Sequence, residues 1–454
     1  MSSATTNKTA PRTLIVGLGK TGLSCARYLR AQGAAVAVTD SRPSPPGLEQ
    51  LRSELPDVAV FTGGFQPDVF AVAERLVVSP GVPVAEPLIQ AAMARGVPVL
   101  GDIELFAQAV SAPVIAITGS NGKSTVTTLV GMMARLAGLR VAVGGNLGDP
   151  ALDLIAPGVE LYVLELSSFQ LETTASLRPR AATVLNLSPD HMDRYPDYAA
   201  YIAAKARIYQ GAGVAVVNRD DAEAAAIPRG APVELGFTLG TPAGPDEFGV
   251  LERADGAWLA RGDRPLLQRA ELLLAGRHNL ANALAALALG SACGLPEAAM
   301  RDALRSFPGL PHRSVLVGSR DGVRWYNDSK GTNPGATVAA LDGLLDPGAP
   351  GRVVLIAGGD GKGADFAPLR PAVERAARAV VLIGRDAPLI ERTLSGLVPL
   401  LHASDMEEAV RQAAGAASPG DCVLLSPACA SFDMFEGYEH RGRAFAQAVE
   451  RWIA

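Results

Sequence analysis

The strongest structural signal in the sequence is the stretch Pro113-Val-Ile-Ala-Ile-Thr-Gly-Ser-Asn-Gly-Lys-Ser-Thr125. It opens with an apolar run typical of a buried strand, and the pattern from Ser124 to Leu136 predicts a helix. A glycine turn at a helix N-terminus presents backbone N–H groups to phosphate oxygens, and Lys123 adds a positive charge. The stretch therefore predicts a site for ATP. The residues expected around its phosphates are Gly119, Ser120, Asn121, Gly122, Lys123, Ser124 and Thr125.

This loop departs from the P-loop consensus, which places four residues between its two glycines. Here only Ser120 and Asn121 separate Gly119 from Gly122, and the first consensus glycine falls on Ile117. A strand-to-helix turn that merely holds Gly-Lys-Ser stays an alternative, and the loop alone does not name a reaction.

Length and composition exclude several classes of protein. A chain of 454 residues exceeds one hydrophobic core, so two or three domains are expected. The net charge of −5 gives no reason to expect nucleic acid or an anionic membrane as a partner. The four cysteines form no C-x-x-C pair, and no apolar run reaches membrane-spanning length. We expect a cytoplasmic protein, and we expect a monomer.

Alternating apolar runs and helical patterns predict an α/β fold with mostly parallel sheets in three domains. We expect a Rossmann-like N-terminal domain over residues 1–101 and a central P-loop-type ATPase domain over 102–308. Residues 229–275 in the central domain have the short apolar runs and Gly, Pro and Asp turns of a β excursion. A Rossmann-like C-terminal domain is expected over 309–454, after the Pro/Gly hinge Phe307–Pro311.

The N-terminal domain contains a dinucleotide fingerprint, Gly17-x-Gly19-x-x-Gly22, followed by Asp40 at the end of the next strand. A glycine turn at a helix N-terminus can hold any diphosphate, and a strand-end carboxylate can hold a hydroxyl-bearing ring. Three interpretations stay open from these residues: NAD, another nucleotide diphosphate, and helix–strand packing without a ligand.

Polar residues of the central domain follow its predicted strands. Glu165 ends a strand beside the phosphate loop, where a carboxylate can hold Mg²⁺ or simply face solvent. His191 and Asp193 lie in a polar turn and suit metal ligation, acid–base chemistry or turn stabilisation. By pattern alone, Lys205 on an Ala-rich helix is a solvated residue. Asn279 and Asn282, spaced i and i+3, either cap the next helix or contact an adenine edge.

With these residues in view, the chain resembles the bacterial peptidoglycan Mur ligases over essentially its whole length after the first ten residues. The motifs that carry the resemblance are Gly17–Cys25, Thr118–Thr125, Glu165–Leu171, His191–Tyr195, Asp328–Asn333, Gly358–Phe366 and Ser426–Phe432. The resemblance implies a cytoplasmic enzyme that uses ATP to add D-glutamate to UDP-N-acetylmuramoyl-L-alanine through an acyl phosphate.

The resemblance also implies roles for individual residues. Around the UDP it places Leu18, Thr21, Asp40, Arg42, Ser79 and Gly81. For ATP it adds Asn282, Arg313 and Asp328 to the phosphate loop. Two Mg²⁺ ions would be held by Ser124, Glu165, His191 and Lys205, with Lys205 as an N-carboxylated side chain. Asn146 would face the reacting carboxylate. The incoming glutamate would be held by Lys330, Thr332, Lys362, Ser426 and the backbone of Phe432.

Other enzymes remain as alternatives. An NAD-linked oxidoreductase would use Gly17–Asp40 but would leave Lys123 and Lys362 without a role. An ATP-driven regulatory protein would turn over ATP without an amino-acid acceptor. A sister ligase acting on folate or adding a different amino acid is disfavoured by the glutamate-loop motifs. In the motif Asp328–Asn333, Gly331 stands where the resemblance leads us to expect alanine.

Overall fold

The structure is a computed structural model that describes residues 12–273, 276–344 and 351–453. Three sheets organise these residues, and nearly all their strand pairs are parallel. Long runs of Val, Leu and Ile are buried in the central strands of each sheet, as expected when helices cover both faces. Among the described helices, none is long and apolar enough to cross a membrane.

The first sheet has five parallel strands in the order β3-β2-β1-β4-β5. The strands are β1 (Thr13–Val16), β2 (Val36–Asp40), β3 (Ala59–Thr62), β4 (Arg75–Val78) and β5 (Val99–Leu100). The helices between them are α1 (Lys20–Ala31), α2 (Leu48–Glu54), α3 (Pro67–Ala71) and α4 (Pro87–Ala94). A Cβ on Gly22 would lie 2.0 Å from the carbonyl oxygen of Gly17, so the start of α1 can pack this closely only with glycine there.

The second sheet has nine strands in the order β14-β13-β12-β11-β10-β9-β6-β8-β7. Its strands are β6 (Val114–Thr118), β7 (Val141–Gly145), β8 (Leu161–Glu165), β9 (Ala181–Val184), β10 (Val214–Asn218), β11 (Val233–Phe237), β12 (Glu247–Arg253), β13 (Gly256–Arg261) and β14 (Arg264–Gln268). The pairs β12–β13 and β13–β14 are antiparallel, so the β excursion predicted over 229–275 extends the parallel sheet as a meander within the residues described.

The helices of this region cover both faces of the second sheet. They are α5 (Asp102–Ala109), α6 (Lys123–Leu136), α7 (Ser168–Glu172), α8 (Tyr198–Ala206), α9 (Ala222–Ala226), α10 (Arg277–Ala292) and α11 (Glu297–Ser306). Helix α10 begins at Arg277, with Gly276 before it, so Asn279 lies inside the first turn. Of the two alternatives for Asn279, the helix-capping one is therefore wrong.

The third sheet has six strands in the order β15-β16-β20-β17-β18-β19. Its strands are β15 (Val315–Arg320), β16 (Val323–Asn327), β17 (Val353–Gly358), β18 (Ala377–Ile383), β19 (Leu400–His402) and β20 (Cys422–Leu425). Its helices are α12 (Pro334–Leu344), α13 (Leu369–Ala376), α14 (Ala387–Leu394), α15 (Met406–Ala416) and α16 (Tyr438–Ile453). Only β15 and β16 pair antiparallel in this sheet, as a hairpin at its edge, in the part of the chain that is described.

Candidate active site

The phosphate loop joins β6 to α6 at the centre of the second sheet. Gly119 and Gly122 have φ of 144° and 83°, values that favour glycine. A Cβ on Gly122 would lie 2.4 Å from Oδ1 of Asn282, so glycine also lets α10 approach the loop. The Lys123 ammonium donates to the carbonyl oxygens of Gly119 at 2.8 Å and Ser120 at 2.9 Å. The loop thus holds a partly buried cation at the start of a helix, where a phosphate is stabilised.

Glu165 ends β8, next to β6, and its side chain is buried. Its Oε1 accepts a 2.7 Å hydrogen bond from Nδ2 of Asn146, whereas its buried Oε2 has no hydrogen-bond partner. Burial raises the pKa of this carboxyl, but the charge of Lys123 and the polar side chains of Asn146 and Ser124 outweigh it, and the net pKa is lowered. The group is an ionised carboxylate with one oxygen available, a feature that suits a cation.

Lys205 lies on α8 with only 2% of its surface exposed. The prediction from pattern alone that this lysine faces solvent is therefore wrong, because α8 packs against the phosphate loop. Its Nζ donates to the carbonyl oxygen of Gly119 at 3.0 Å and to Oγ1 of Thr118 at 3.4 Å. Burial, and then the charge of Lys123, hold the pKa of Lys205 well below its usual value, so the structure favours a neutral amine.

His191 lies in the turn after β9, with a left-handed backbone φ of 59°. Its Nε2 is 3.8 Å from Oδ2 of Asp190, and its ring meets that of Phe169 edge-on at 4.9 Å. Burial lowers the pKa of this imidazole, so it is a neutral potential ligand. Asp193 is exposed. Within the described ranges, no three His, Cys, Asp or Glu side chains converge to hold a metal ion.

A cavity of about 260 Å³ separates α10 from the third sheet and opens onto the phosphate loop. Asn279 and Asn282 line it, with Nδ2 of Asn282 donating to Oδ1 of Asn279 at 3.3 Å. On the opposite side, Nη2 of Arg313 donates to Oγ of Ser124 at 3.3 Å, and its buried Nε has no hydrogen-bond partner. The cavity therefore places the two asparagines and a partly buried guanidinium beside the phosphate loop.

Asp328 follows β16 and faces the same cavity. Its carboxylate accepts hydrogen bonds from Oγ of Ser426 at 2.7 Å and from the backbone N–H of Ser314 at 3.1 Å. Burial raises its pKa to about 6 despite these bonds. A Cβ on Gly331 would lie 2.6 Å from both Oδ2 of Asp328 and Oγ of Ser426. The glycine at 331 therefore permits direct contact between these two side chains.

The predicted glutamate-binding residues follow three strand ends of the third sheet. Lys330 lines the cavity, and its Nζ donates to Oη of Tyr438 at 3.1 Å. Burial, and then the charge of Arg313, lower the pKa of Lys330 to about 8. The charge of Lys362 is among those that lower the pKa of His191, after burial, which is the main cause. Thr332 is partly buried, Ser426 is buried, and the Phe432 side chain is 72% exposed.

The predicted UDP-binding residues surround the carboxyl end of β1. Oδ2 of Asp40 accepts from the backbone N–H of Leu18 at 2.7 Å, and both Asp40 oxygens accept from the Arg42 guanidinium at 2.7–2.9 Å. Burial raises the pKa of Asp40, but the Arg42 contact outweighs it and the net pKa is lowered. The strand-end carboxylate is therefore paired with an arginine, which adds a positive charge at this end of the sheet.

The turn at Ser79–Gly81 lies beside this fingerprint, since Oγ of Ser79 donates to the carbonyl oxygen of Gly17 at 2.8 Å. The structure adds a residue that the motifs did not indicate. The guanidinium of Arg194, from the His191 turn, donates to the carbonyl oxygens of Pro80 and Gly81, each at 3.3 Å. A single arginine in a polar turn carries no sequence signal for such a contact. Partly exposed Thr21, on α1, lies at the same end of the sheet.

Protein-family models match three consecutive parts of the chain. Residues 11–101 match the N-terminal domain of MurD-like Mur ligases, 117–290 match the Mur ligase middle domain, and 312–429 match the glutamate ligase domain. The chain belongs to the Mur ligase family. Enzymes of this family depend on ATP, which agrees with the phosphate loop.

Two relatives share more than half of their residues with this Mur ligase. A UDP-N-acetylmuramoylalanine–D-glutamate ligase from Nitrosococcus oceani is 59% identical over 98% of both chains. One of the same name from Marinobacter nauticus is 57% identical over 97% of this chain and 98% of its own.

Solved structures share the fold at much lower identity. UDP-N-acetylmuramate-alanine ligase from Thermotoga maritima has a TM-score of 0.59 at 19% identity, covering 97% of this chain and 99% of its own. A pseudomurein peptide ligase type C from Methanothermus fervidus also has a TM-score of 0.59, at 17% identity, covering 97% of this chain and all of its own.

Proposed function

We propose that this Mur ligase uses ATP to join D-glutamate to the alanine carboxylate of UDP-N-acetylmuramoyl-L-alanine, a step of peptidoglycan precursor synthesis. The observation that carries the proposal is the 59% identity, from end to end, to the Nitrosococcus oceani enzyme of that name. The cavity between the phosphate loop and the glutamate ligase region supports it. We also propose that the reaction takes place in the cytoplasm.

Each region would bind one part of the reacting assembly. Residues 1–101 would hold the UDP end, with the Asp40–Arg42 pair and the Ser79–Gly81 turn around it. Residues 102–308 would hold ATP, and residues 309–454 would hold glutamate and part of ATP. The hydrogen bond from Arg313 to Ser124 across the cavity supports this division, because it joins the third region to the phosphate loop.

In the first step, an oxygen of the alanine carboxylate attacks the γ-phosphorus of ATP. The bond between that phosphorus and the bridging oxygen breaks, ADP leaves with the electron pair, and an acyl phosphate forms. Both reactants are anionic, so Lys123 and Arg313 would lower their mutual repulsion and stabilise the charge on the transferring group. Asn146 would orient the carboxylate. The reaction is then limited by how well the chain positions the two anions.

In the second step, the glutamate amine attacks the carbonyl carbon of the acyl phosphate. The tetrahedral intermediate expels phosphate, and the nitrogen loses a proton to solvent or to the departing phosphate. Lys330, Lys362 and Ser426 would hold the glutamate carboxylates, with Thr332 and the backbone of Phe432 beside them. Exclusion of water by the packed third region would protect the acyl phosphate from hydrolysis.

The residues present fit a magnesium ion near the phosphate loop. The buried Oε2 of Glu165 has no hydrogen-bond partner, and Glu165 and the Ser124 hydroxyl both offer oxygen ligands of the kind that Mg²⁺ takes. Mg²⁺ keeps several waters and takes further ligands from phosphates, so a small protein ligand set is enough. When bound, the ion would supply positive charge to the phosphates.

A second ion would be held by His191 and by Lys205 as a carbamate. Carbamate formation joins the neutral lysine nitrogen to the carbon of CO₂ and releases a proton. The burial that lowers the pKa of Lys205 supports this modification, because it favours the unprotonated amine that reacts with CO₂. The product would be an anionic oxygen ligand in place of a cation.

The test is phosphate release from ATP with UDP-N-acetylmuramoyl-L-alanine and D-glutamate, L-glutamate or no amino acid. We expect phosphate release to require D-glutamate. The product UDP-N-acetylmuramoyl-L-alanyl-D-glutamate should appear by mass spectrometry in an amount equal to the phosphate released. Phosphate release indifferent to the amino acid, with no new amide, would contradict the proposal.

A further inference from the structure

Asn333 lies between the phosphate loop, the His191 turn and the third sheet, and the motifs assign it no role. Resting on the proposed function, we propose that Asn333 is a positioning residue. Its side-chain amide couples docking of the third region to the placement of the phosphate loop and of His191. It touches these two loops rather than the reacting atoms.

The contacts of Asn333 span residues far apart in the chain. Its side chain is 5% exposed, and Nδ2 donates to Oδ2 of Asp190 at 3.1 Å and to Oδ1 of Asn121 at 3.3 Å. In return, Nδ2 of Asn121 donates to Oδ1 of Asn333 at 3.4 Å. A buried amide that bonds reciprocally to one loop and also to a carboxylate of another depends strongly on geometry.

The oxygen and nitrogen of this amide have separate roles. Oδ1 accepts a 2.8 Å hydrogen bond from the backbone N–H of Ala336, in the first turn of α12. This is the usual task of a helix-capping residue, which serine or aspartate performs as well as asparagine. The cap therefore does not require Nδ2. The amide nitrogen is the atom that the contacts to Asn121 and Asp190 use, so the two roles can be separated by mutation.

Both partners of Asn333 pass its position on to the site. The backbone of Asn121 is held by the side chain of Asn186. The Asn121 N–H donates to Oδ1 of Asn186 at 2.8 Å, and Nδ2 of Asn186 donates to the Asn121 carbonyl oxygen at 3.0 Å. Asp190 accepts from the backbone N–H of His191 at 2.9 Å and lies 3.8 Å from its imidazole Nε2. A shift of the Asn333 amide would therefore reach both the loop that meets the phosphates and the imidazole beside them.

The approach of α12 to the central region depends on a second feature. A Cβ on Gly335 would lie 2.8 Å from Oγ of Ser188, a buried hydroxyl in the same turn as Asp190. The small residue after Pro334 lets the first turn of α12 come close enough for Asn333 to reach Asp190. Contact at residue 335 and hydrogen bonding at residue 333 thus support the same docked arrangement.

The test compares Asn333→Ser and Asn333→Asp in the full-length protein with a matched control, Asp405→Ser. Asp405 caps α15 through a 2.8 Å bond from the Glu408 N–H and is exposed, away from the cavity. Both Asn333 variants keep a capping oxygen. Asn333→Asp additionally sets a carboxylate against that of Asp190. We expect the melting temperature of Asn333→Ser to stay close to that of the control and that of Asn333→Asp to fall because of carboxylate repulsion, with kcat lower by roughly 10-fold or more in both and lowest in Asn333→Asp.

A double variant tests the coupling itself. Asn121→Ala should lower kcat as Asn333→Ser does. The kcat of the combined Asn121→Ala/Asn333→Ser variant should be only slightly below that of the less active single variant, because the two residues act through one contact. The thermal shift that ATP alone produces should show the same non-additivity. Three results would each overturn the proposal. They are a parental kcat in Asn333→Ser, losses of kcat that multiply in the double variant, and a melting temperature of Asn333→Ser that falls in step with its kcat.

The ATP-induced thermal shift also separates this proposal from the proposed function. It does not depend on the amino acid or on the sugar substrate. If the parent protein fails to form the glutamate product, the proposed function fails, whereas non-additive thermal shifts would still support the coupling through Asn333. A glutamate-dependent parent whose variants show additive shifts would leave the function standing and refute the coupling.

Discussion

Replacing Lys205 by methionine should abolish most ligase activity while leaving the fold at least as stable. The side chains are similar in length, so the change removes the charge and the hydrogen bonds with little loss of packing. Loss of the proposed carbamate ligand should lower kcat by roughly 100-fold or more, by analogy with other changes that remove stabilisation of transition-state charge.

The stability change can be worked from the contacts of Lys205. Methionine loses hydrogen bonds to Gly119 at 3.0 Å and Thr118 at 3.4 Å, each worth about 0.5–1.5 kcal/mol. Neither acceptor is orphaned. The Gly119 carbonyl keeps its bond from Lys123 at 2.8 Å, and Oγ1 of Thr118 keeps its bond to the Leu166 carbonyl at 2.7 Å. The further penalty of about 1–3 kcal/mol for an unsatisfied buried group is therefore absent.

Against this loss stands the cost of burying an ammonium group. The folded-state pKa of Lys205 lies well below its unfolded value, and each unit of that difference corresponds to about 1.4 kcal/mol. Between the two pKa values the unfolded chain binds more protons, so the stability contributed by the neutral lysine rises with pH and is least below the folded-state pKa. Methionine removes this dependence. Its stabilising effect should be largest at the lower end of that pH range and shrink as the pH approaches the unfolded lysine value.

Urea denaturation and phosphate release, measured on the same preparations at several pH values, check both parts. Full activity in Lys205→Met would remove the lysine from the mechanism. A loss of more than about 3 kcal/mol of unfolding free energy at neutral pH would refute the burial argument. As a control for the carbamate, Lys205→Ala should regain some activity when short-chain carboxylic acids are added, whereas Lys205→Met should not.

Three further changes test the rest of the site. Glu165→Gln should raise the Mg²⁺ concentration needed for half-maximal phosphate release and lower kcat by about 100-fold, because a neutral amide replaces the buried carboxylate; an unchanged Mg²⁺ titration would contradict this. Because the pKa of Lys330 is about 8, kcat/KM for D-glutamate should fall as the pH rises above that value and the ammonium loses its proton. Lys330→Arg should keep a flat pH profile over the same range. An identical fall in both proteins would point to another group. Gly331→Ala should push Ser426 away from Asp328, lower the unfolding free energy by about 1 kcal/mol and raise KM for ATP. Calorimetry and an ATP titration measure these changes. If neither differs from the parent protein, the turn relaxes at no cost and the prediction is wrong.

Much of the fold could be predicted because its signals are local. The apolar run ending at Thr118 and the glycine turn after it specify a strand, a phosphate loop and a helix, and the structure contains all three. The β excursion over 229–275 was likewise visible in its turns. The edge strands β15 and β19 have only partly buried, mixed sequences, so no apolar run distinguishes them from loops.

The site could be predicted only where a motif carried it. Pattern alone placed Lys205 in solvent, because burial of one face of an Ala-rich helix depends on packing that no local sequence encodes. It also left capping of α10 by Asn279 as an alternative, because Gly276 and Arg277 give a weak helix signal and asparagine is common at the N-cap. Arg194 and Asn333 act across regions of the chain, and contacts between distant segments leave no local pattern.

The central claim is that the alanine carboxylate becomes an acyl phosphate before the glutamate amine attacks. UDP-N-acetylmuramoyl-L-alanine labelled with oxygen-18 in both carboxylate oxygens tests it directly, by mass spectrometry of the phosphate and the product. We expect one labelled oxygen in each phosphate released and one retained in the new amide carbonyl. Unlabelled phosphate, formed together with the amide product, would contradict it.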